Sequence, residues 1–339
     1  MNNNTVIGID LAKSIFQVAT FRNDKISSNN RLNRTKFKEF LLKIEPTEIY
    51  MEACYSAHYW ARFAEQAGHK VGLIPAQHVS PFTRGNKNDA NDAVAIVEAS
   101  RRPDLKLVQV KSIAQQDIQS LHRIRERLVR SRTGLMNQTR GLLAEYGVIF
   151  GEGQKAFLLS VTDALNDSTL TTLLKAQLHH GLDELETIER RIKHIEIQLK
   201  QFVEQNQAAS ILHSIPGIGF LNASALATKY PDPNQFRCAR EMAVHLGLTP
   251  KLAASGNKKV MLGISKRGDP YLRKQLIHGA RALMMHAPKR VDDPLCKWAL
   301  KLKQRRGYNI ATVALASRLA RLAWTLLHKQ EHYRLRTAG

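Results

Sequence analysis

Residues 86–93 read NKNDANDA, and a helix-like AVAIVEA run follows. Asp89 and Asp92 stand three apart, so on a helix they share one face, as joint ligation of an ion requires. A plainer reading exists for the pair. Asp89 can serve as an N-cap and Asp92 can sit in the first turn, where the macrodipole favours negative charge. Two more acids end apolar strands. Asp10 closes TVIGID, with no charged partner in its local sequence, and Glu52 closes TEIYME. Taken singly, each acid reads as a cap, an edge charge or a strand terminator. Taken together, four converging carboxylates repel one another unless cations neutralise them. Mg²⁺ suits oxygen donors and usually keeps waters and a substrate phosphate in its shell. Two such ions can clamp the attacking and leaving oxygens of a phosphodiester.

The elements that must bring these acids together are legible in outline. Strands are predicted over 5–10, 14–21 and 25–30, spaced as in a meander of hairpins. A helix follows over 35–44, a strand over 47–52, a helix over 56–68 closed by Gly68, and a strand over 69–74. The helix that starts near Asp89 is predicted to reach Arg101, with Pro103 ending it. Three strands, helix, strand, helix, strand, helix is the order of the ribonuclease-H-like fold, a mixed α/β sheet with helices on both faces. There the first and fourth strands are neighbours and the helix after the fifth packs near them, so Asp10, Glu52, Asp89 and Asp92 would converge.

From Ser112 to Phe150 the pattern turns helical. Leu121, Leu128, Leu135 and Leu142 recur every seven residues, with Ile124 between them. Leu185, Ile188, Ile192, Ile195, Leu199 and Phe202 form a second heptad seam. The two segments can pair as an antiparallel hairpin within one chain or between two chains. Beyond Ala208 the sequence IPGIG offers a tight hairpin between helices, whose backbone N–H groups at Gly217 and Gly219 could face a phosphate. An ordinary helix–helix turn explains the same residues. A Gly- and Lys-rich loop region, LGLTPKLAASGNKKVMLGISKRG, then leads into a basic helix carrying Arg273 and Lys274. This reading divides the chain into an acidic α/β domain over 1–111, a helical coiled-coil and dimerisation region over 112–207, whose seam from Leu182 to Phe202 is expected to bring two chains together, and a mostly helical basic domain over 208–339.

Charge identifies the class of partner. The chain of 339 residues carries a formal net charge of +22, with 51 Lys and Arg against 29 Asp and Glu. Residues 251–339 hold 20 Lys or Arg and 4 Asp or Glu, so they supply +16 of that total. Like charges at this density call for a polyanion. Cys54, Cys238 and Cys296 are scattered and form neither a disulfide framework nor a zinc spacing. The N-terminus lacks a signal-peptide pattern, and no apolar run is expected to span a bilayer. A cytoplasmic protein with no membrane partner is expected.

The stretches IGIDLAKSIF, MEACYSAHYW, NKNDANDA and LGLTPKLAASGNKKVMLGISKRGDPYLRKQLI resemble the transposases of the insertion-sequence one-ten family, close to its eleven-eleven subgroup. The resemblance runs over nearly the whole chain. It implies a RuvC-like N-terminal domain whose Asp-Glu-Asp-Asp site falls on Asp10, Glu52, Asp89 and Asp92, with Mg²⁺ as cofactor. It also implies a coiled-coil region and a C-terminal transposase domain with an essential serine. That serine falls best on Ser255, with Ser265 as the second candidate. Lys258, Lys259, Lys266 and Arg267 could then stabilise phosphate charge. Implied partners are DNA, both element ends and target, a structured bridge RNA, and further copies of the chain as dimers and tetramers. A bacterial, nucleoid-associated location follows. Two other readings stay open: a RuvC-like metal-dependent nuclease or junction resolvase that needs no serine, and a basic nucleic-acid-binding protein with an inactive site.

Overall fold

The computed structural model describes residues 5–23, 25–83, 88–255 and 258–335, without the side chains of 254, 255, 258 and 259. The chain forms two compact units, Met1–Ile113 and Ala114–Gly339.

In the first unit, strands β1 (Thr5–Leu11), β2 (Ile15–Arg22) and β3 (Lys25–Asn33) form the antiparallel meander. Helix α1 (Arg34–Lys43) follows, capped by Asn33 rather than Thr35: the Asn33 side chain accepts from the Lys36 amide. Strand β4 (Glu48–Glu52), helix α2 (Ala57–Gln66) and strand β5 (Lys70–Ile74) come next, then the short α3 (Ala76–Val79) and α4 (Asp89–Ser100). The sheet order is β3-β2-β1-β4-β5, with β4 parallel to both β1 and β5. The first and fourth strands are thus neighbours. One sheet face buries Ile7, Ile9, Phe16 and Met51 against Phe37 of α1 and Trp60 of α2. Phe16, Phe37 and Trp60 pack with ring centroids 4.5 to 4.9 Å apart. The opposite face buries Ala19 and Phe21 against Ala93 and Val97 of α4, and Ile74 against Ile96 and Ala99.

The second unit begins with two long helices, α5 (Ile113–Ala144) and α7 (Thr172–Gln205), joined through α6 (Gly153–Asn166). Arg125 pairs with Glu196 at 2.6 Å and Arg132 with Glu189 at 2.9 Å. Each step of seven up α5 meets a step of seven down α7, so the helices are antiparallel within one chain. Their seam buries Leu128, Ile188, Ile192, Ile195 and Leu199. Two seam positions depart from the heptad pattern. Leu142 is exposed while Leu143 is fully buried, and Val203 is buried more deeply than Phe202. A straight helix has 3.6 residues per turn, so it drifts about 20° per heptad, and after three heptads the inward position moves on by one residue.

Helices α8 (Gln207–His213), α9 (Phe220–Lys229), α10 (Ala239–His245), α11 (Pro270–His286), α12 (Pro294–Arg306) and α13 (Tyr308–Lys329) share one large apolar core. In length and mean hydropathy α13 matches a membrane span, against the expectation above, yet half of that window is buried inside the unit. The stretch read as a loop contains an antiparallel hairpin, β6 (Pro250–Ser255) and β7 (Lys258–Ile264). A buried polar node ties α5 to α9 and α11. The His122 ring lies 2.8 Å from the Tyr271 hydroxyl and 3.0 Å from that of Ser224. The Ser224 hydroxyl donates to the Phe220 carbonyl at 2.6 Å, so it accepts from His122 Nε2–H, and Nδ1 accepts from Tyr271. Burial holds the ring neutral by lowering its pKa to about 4, with Arg125 adding to the effect.

Candidate active site

The acidic set is built by strand register and one close helix approach. Ile9 pairs with Met51 across the parallel strands, so one step further Asp10 and Glu52 stand side by side at the strand ends. Adjacent strands lie about 4.8 Å apart. Which face they use follows from Gly8. A Cβ there would lie 2.4 Å from the Ala93 carbonyl oxygen and 2.5 Å from Val97 Cγ2, so Gly8 faces α4 at van der Waals range. Asp10 is two residues on and shares that face. Helix α4 runs back along β1: Ala93 lies over Gly8, Val97 packs with Val6, and the Arg101 guanidinium stacks over Phe21. Its first turn, with Asp89 and Asp92, therefore lies at the Asp10 end of the strand.

Capping does not occupy these acids. The N-cap is Asn88, whose side chain accepts from the Asn91 amide at 2.8 Å. Asp89 is the first helical residue and exposed. Asp92 is half-buried and accepts from the Thr83 hydroxyl at 3.3 Å. A polar relay links strand to helix. Gln17, the register partner of Asp10, is 8% exposed and donates to Asn29 Oδ1 at 2.6 Å. Asn29 Nδ2 in turn donates to the Ala90 carbonyl at 3.1 Å, between the two aspartates. The strand pattern points to neither residue, because their partners are distant in sequence. Among the described residues, no three acidic, histidine or cysteine side chains are gathered tightly enough to hold an ion. In donor type, Asp10, Glu52, Asp89 and Asp92 suit a divalent metal.

The remaining candidates lie in the second unit. Ser255 ends β6 opposite Lys258, the first residue of β7. The side chains of Ser255, Lys258 and Lys259 fall outside the described residues. Ser265 follows β7, and its amide donates to the Thr249 carbonyl at 2.8 Å. Lys266 and Arg267 are exposed, on a turn pressed against Gly247. A Cβ at Gly247 would meet the Arg267 carbonyl oxygen at 2.1 Å. Arg273 is engaged with backbone, donating to the carbonyls of Leu246 at 3.3 Å and Arg267 at 3.1 Å. Lys274 pairs with Glu126 of α5 at 2.5 Å. Gly217 has a φ of 87° and packs against Gly279, Leu283 and Leu319, which makes it a helix-packing turn. Gly219 is exposed at the start of α9, with open space about its Cα.

Residues 209–294 match the family described as Transposase IS116/IS110/IS902 family, and residues 7–148, which contain all four acids, match a DEDD transposase family of IS110 type. The chain is 39% identical to the transposase for insertion sequence element IS1111A of Coxiella burnetii, over 98% of this chain and 92% of that one. The chain belongs to the IS110 family of transposases. This transposase is also 35% identical to the transposase for insertion sequence element IS1328 of Yersinia enterocolitica, over 96% and 97% of the two chains. It is 24% identical to a pilin gene-inverting protein of Moraxella bovis, over 80% of each chain. It is a DNA transposase, with a mixed α/β unit consistent with a DEDD nuclease-like domain.

Proposed function

We propose that this transposase cuts and rejoins DNA with a Mg²⁺-assisted serine, directed by a structured guide RNA. The supporting observation is that Asp10 and Glu52 stand side by side on the sheet face covered by α4, whose first turn carries Asp89 and Asp92. On this reading residues 1–111 form a ribonuclease-H-like acidic domain, 112–207 the helical region, and 208–339 the serine domain. The four carboxylates would hold the metal, which supplies charge neutralisation at the scissile phosphate. Ser255 would attack phosphorus through Oγ after losing its proton. A Ser–O–P bond forms, the strand's P–O bond breaks, and the departing oxygen takes up a proton as a free hydroxyl. The bond energy is kept in the ester, so a hydroxyl of the partner strand can reverse the attack and complete an exchange. The guide RNA, the assembly of active sites between copies of the chain, and action at the nucleoid extend the family resemblance to this chain.

The test is denaturing electrophoresis of labelled DNA after incubation with each variant. Asp10→Asn keeps the side-chain shape and removes the charge, and it is expected to abolish cleavage in a folded protein. Ser255→Ala is expected to abolish cleavage and the protein–DNA adduct while DNA binding persists. An adduct kept by Ser255→Ala and lost in Ser265→Ala would move the nucleophile to Ser265. Cleavage without an adduct in any variant, even with substrates that block rejoining, would point to hydrolysis. Guide dependence is tested by recombination with a structured RNA from the element and with an unrelated RNA of equal length. Equal products with both would overturn it.

A further inference from the structure

Arg125, Arg132, Arg273 and Lys274 are already engaged with acids or carbonyls inside the second unit. Five others behave differently. Arg306, Arg318, Arg321, Lys329 and Arg334 are exposed and line one concavity between the β6–β7 hairpin, α12 and α13. Among the described residues none of the five has an ion-pair partner. Glu331 is the only acid among the lining residues. Arg318, Arg321 and Lys329 lie along α13, and from the first to the last is about 16 Å at 1.5 Å per residue. Arg318 is held in place by stacking over the Trp298 ring at 4.5 Å. The floor is apolar, with Leu262, Ile264 and Val313 among its residues.

We propose that this concavity binds an unpaired DNA strand. Resting on the transposase reading, it names the surface that holds a strand separated from its partner. The cations suit phosphates. The apolar floor suits the faces of unstacked bases, and Trp298 and Tyr333 among the lining residues add aromatic surface of the kind on which bases stack in single-strand channels. A duplex presents its phosphates outward and would leave that floor uncovered.

The test is fluorescence anisotropy of the full-length protein with a labelled single-stranded DNA, a duplex of the same sequence, and the corresponding RNA. Arg318→Ala with Arg321→Ala is expected to weaken single-strand binding by about tenfold or more. It should also flatten the slope of log K against log salt by about 1.4, at roughly 0.7 for each phosphate no longer neutralised. A second pair, Arg306→Ala with Arg334→Ala, should act in the same direction. The control is Lys297→Ala with Lys301→Ala, which removes equal charge from α12 outside the concavity. An equal loss in the control would overturn the site in favour of net charge. A larger loss for the duplex or the RNA would overturn the assignment to unpaired DNA. A drop in light-scattering mass in the α13 variants would make the concavity an interface between copies. If wild-type protein binds none of the three nucleic acids, the proposed function fails; if it binds and the α13 variants match it, only the site fails.

Discussion

A methyl group at Gly8 would have to displace the Ala93 carbonyl or the Val97 side chain, both within 2.5 Å of its position. Gly8→Ala is therefore expected to push α4 off β1 and cost about 1–3 kcal/mol, in the range of overpacked cores. Urea unfolding checks this, and an unchanged midpoint would mean that helix and strand do not touch. On the proposed metal reading, DNA cleavage should fall further than stability, because α4 carries Asp89 and Asp92. Asn29→Ala separates placement from packing. It removes a hydrogen bond to the Ala90 carbonyl and the acceptor of the buried Gln17 amide, at a cost of about 1–3 kcal/mol, and leaves the apolar core untouched. On the proposed metal reading, the expected result is a Mg²⁺ requirement for cleavage raised further than that loss of stability explains, read from titrations of the metal. At this scale the strand-end placement of Asp10 and Glu52 was legible because a carboxylate that ends an apolar strand conflicts with its surroundings. Asn29 was not, because its partner is a backbone carbonyl 61 residues away. The role of Asn88 as N-cap was hidden by the aspartate directly after it.

Elements were read well where one period dominates. The meander, β4, β5 and the two long helices follow from alternation and heptads. The β6–β7 hairpin was missed: Gly256-Asn257 between two short runs is a hairpin signal, but the paired lysines 258 and 259 made the stretch resemble a loop. The heptad seam left the choice between one chain and two open; within the chain, ion pairs join α5 to α7. Because Ile192 is 3% exposed inside that seam, Ile192→Ala should cost about 2–5 kcal/mol in urea. The light-scattering mass should not change; a fall in mass would place the seam between chains. Acid should act on the contacts of α5 with α9 and α11 through His122. The folded ring has a pKa of about 4, below the ordinary value of about 6.5. The unfolded chain therefore takes up a proton that the folded one refuses. Stability from this group is complete above about pH 6.5 and declines as pH falls toward about 4. Urea midpoints should drop less steeply over that window in His122→Gln than in wild type.

At the scale of the molecule, charge is the most legible feature and the least local. The excess of +22 points to a polyanion whatever the fold, yet it does not say which cations face the ligand. Pairing inside the fold makes that distinction. The sequence suggested Arg273 and Lys274, and both are engaged within the second unit. DNA affinity of the whole chain should fall steeply with salt, and Lys274→Ala should change the slope by less than a single neutralised phosphate would. A full unit of change in anisotropy titrations would return Lys274 to the binding surface.

The antiparallel seam of α5 and α7 has a consequence for evolution and for engineering. Its ion pairs repeat with the same seven-residue step on both arms. A deletion of seven residues from one arm alone would misalign the remaining pairs. The same deletion made in both arms keeps every pair in register and shortens the hairpin by about 10 Å, at 1.5 Å per residue. The reach of this arm is therefore quantised, and lineages that vary its length should do so in matched heptads, carrying α6 nearer or farther as an intact cap.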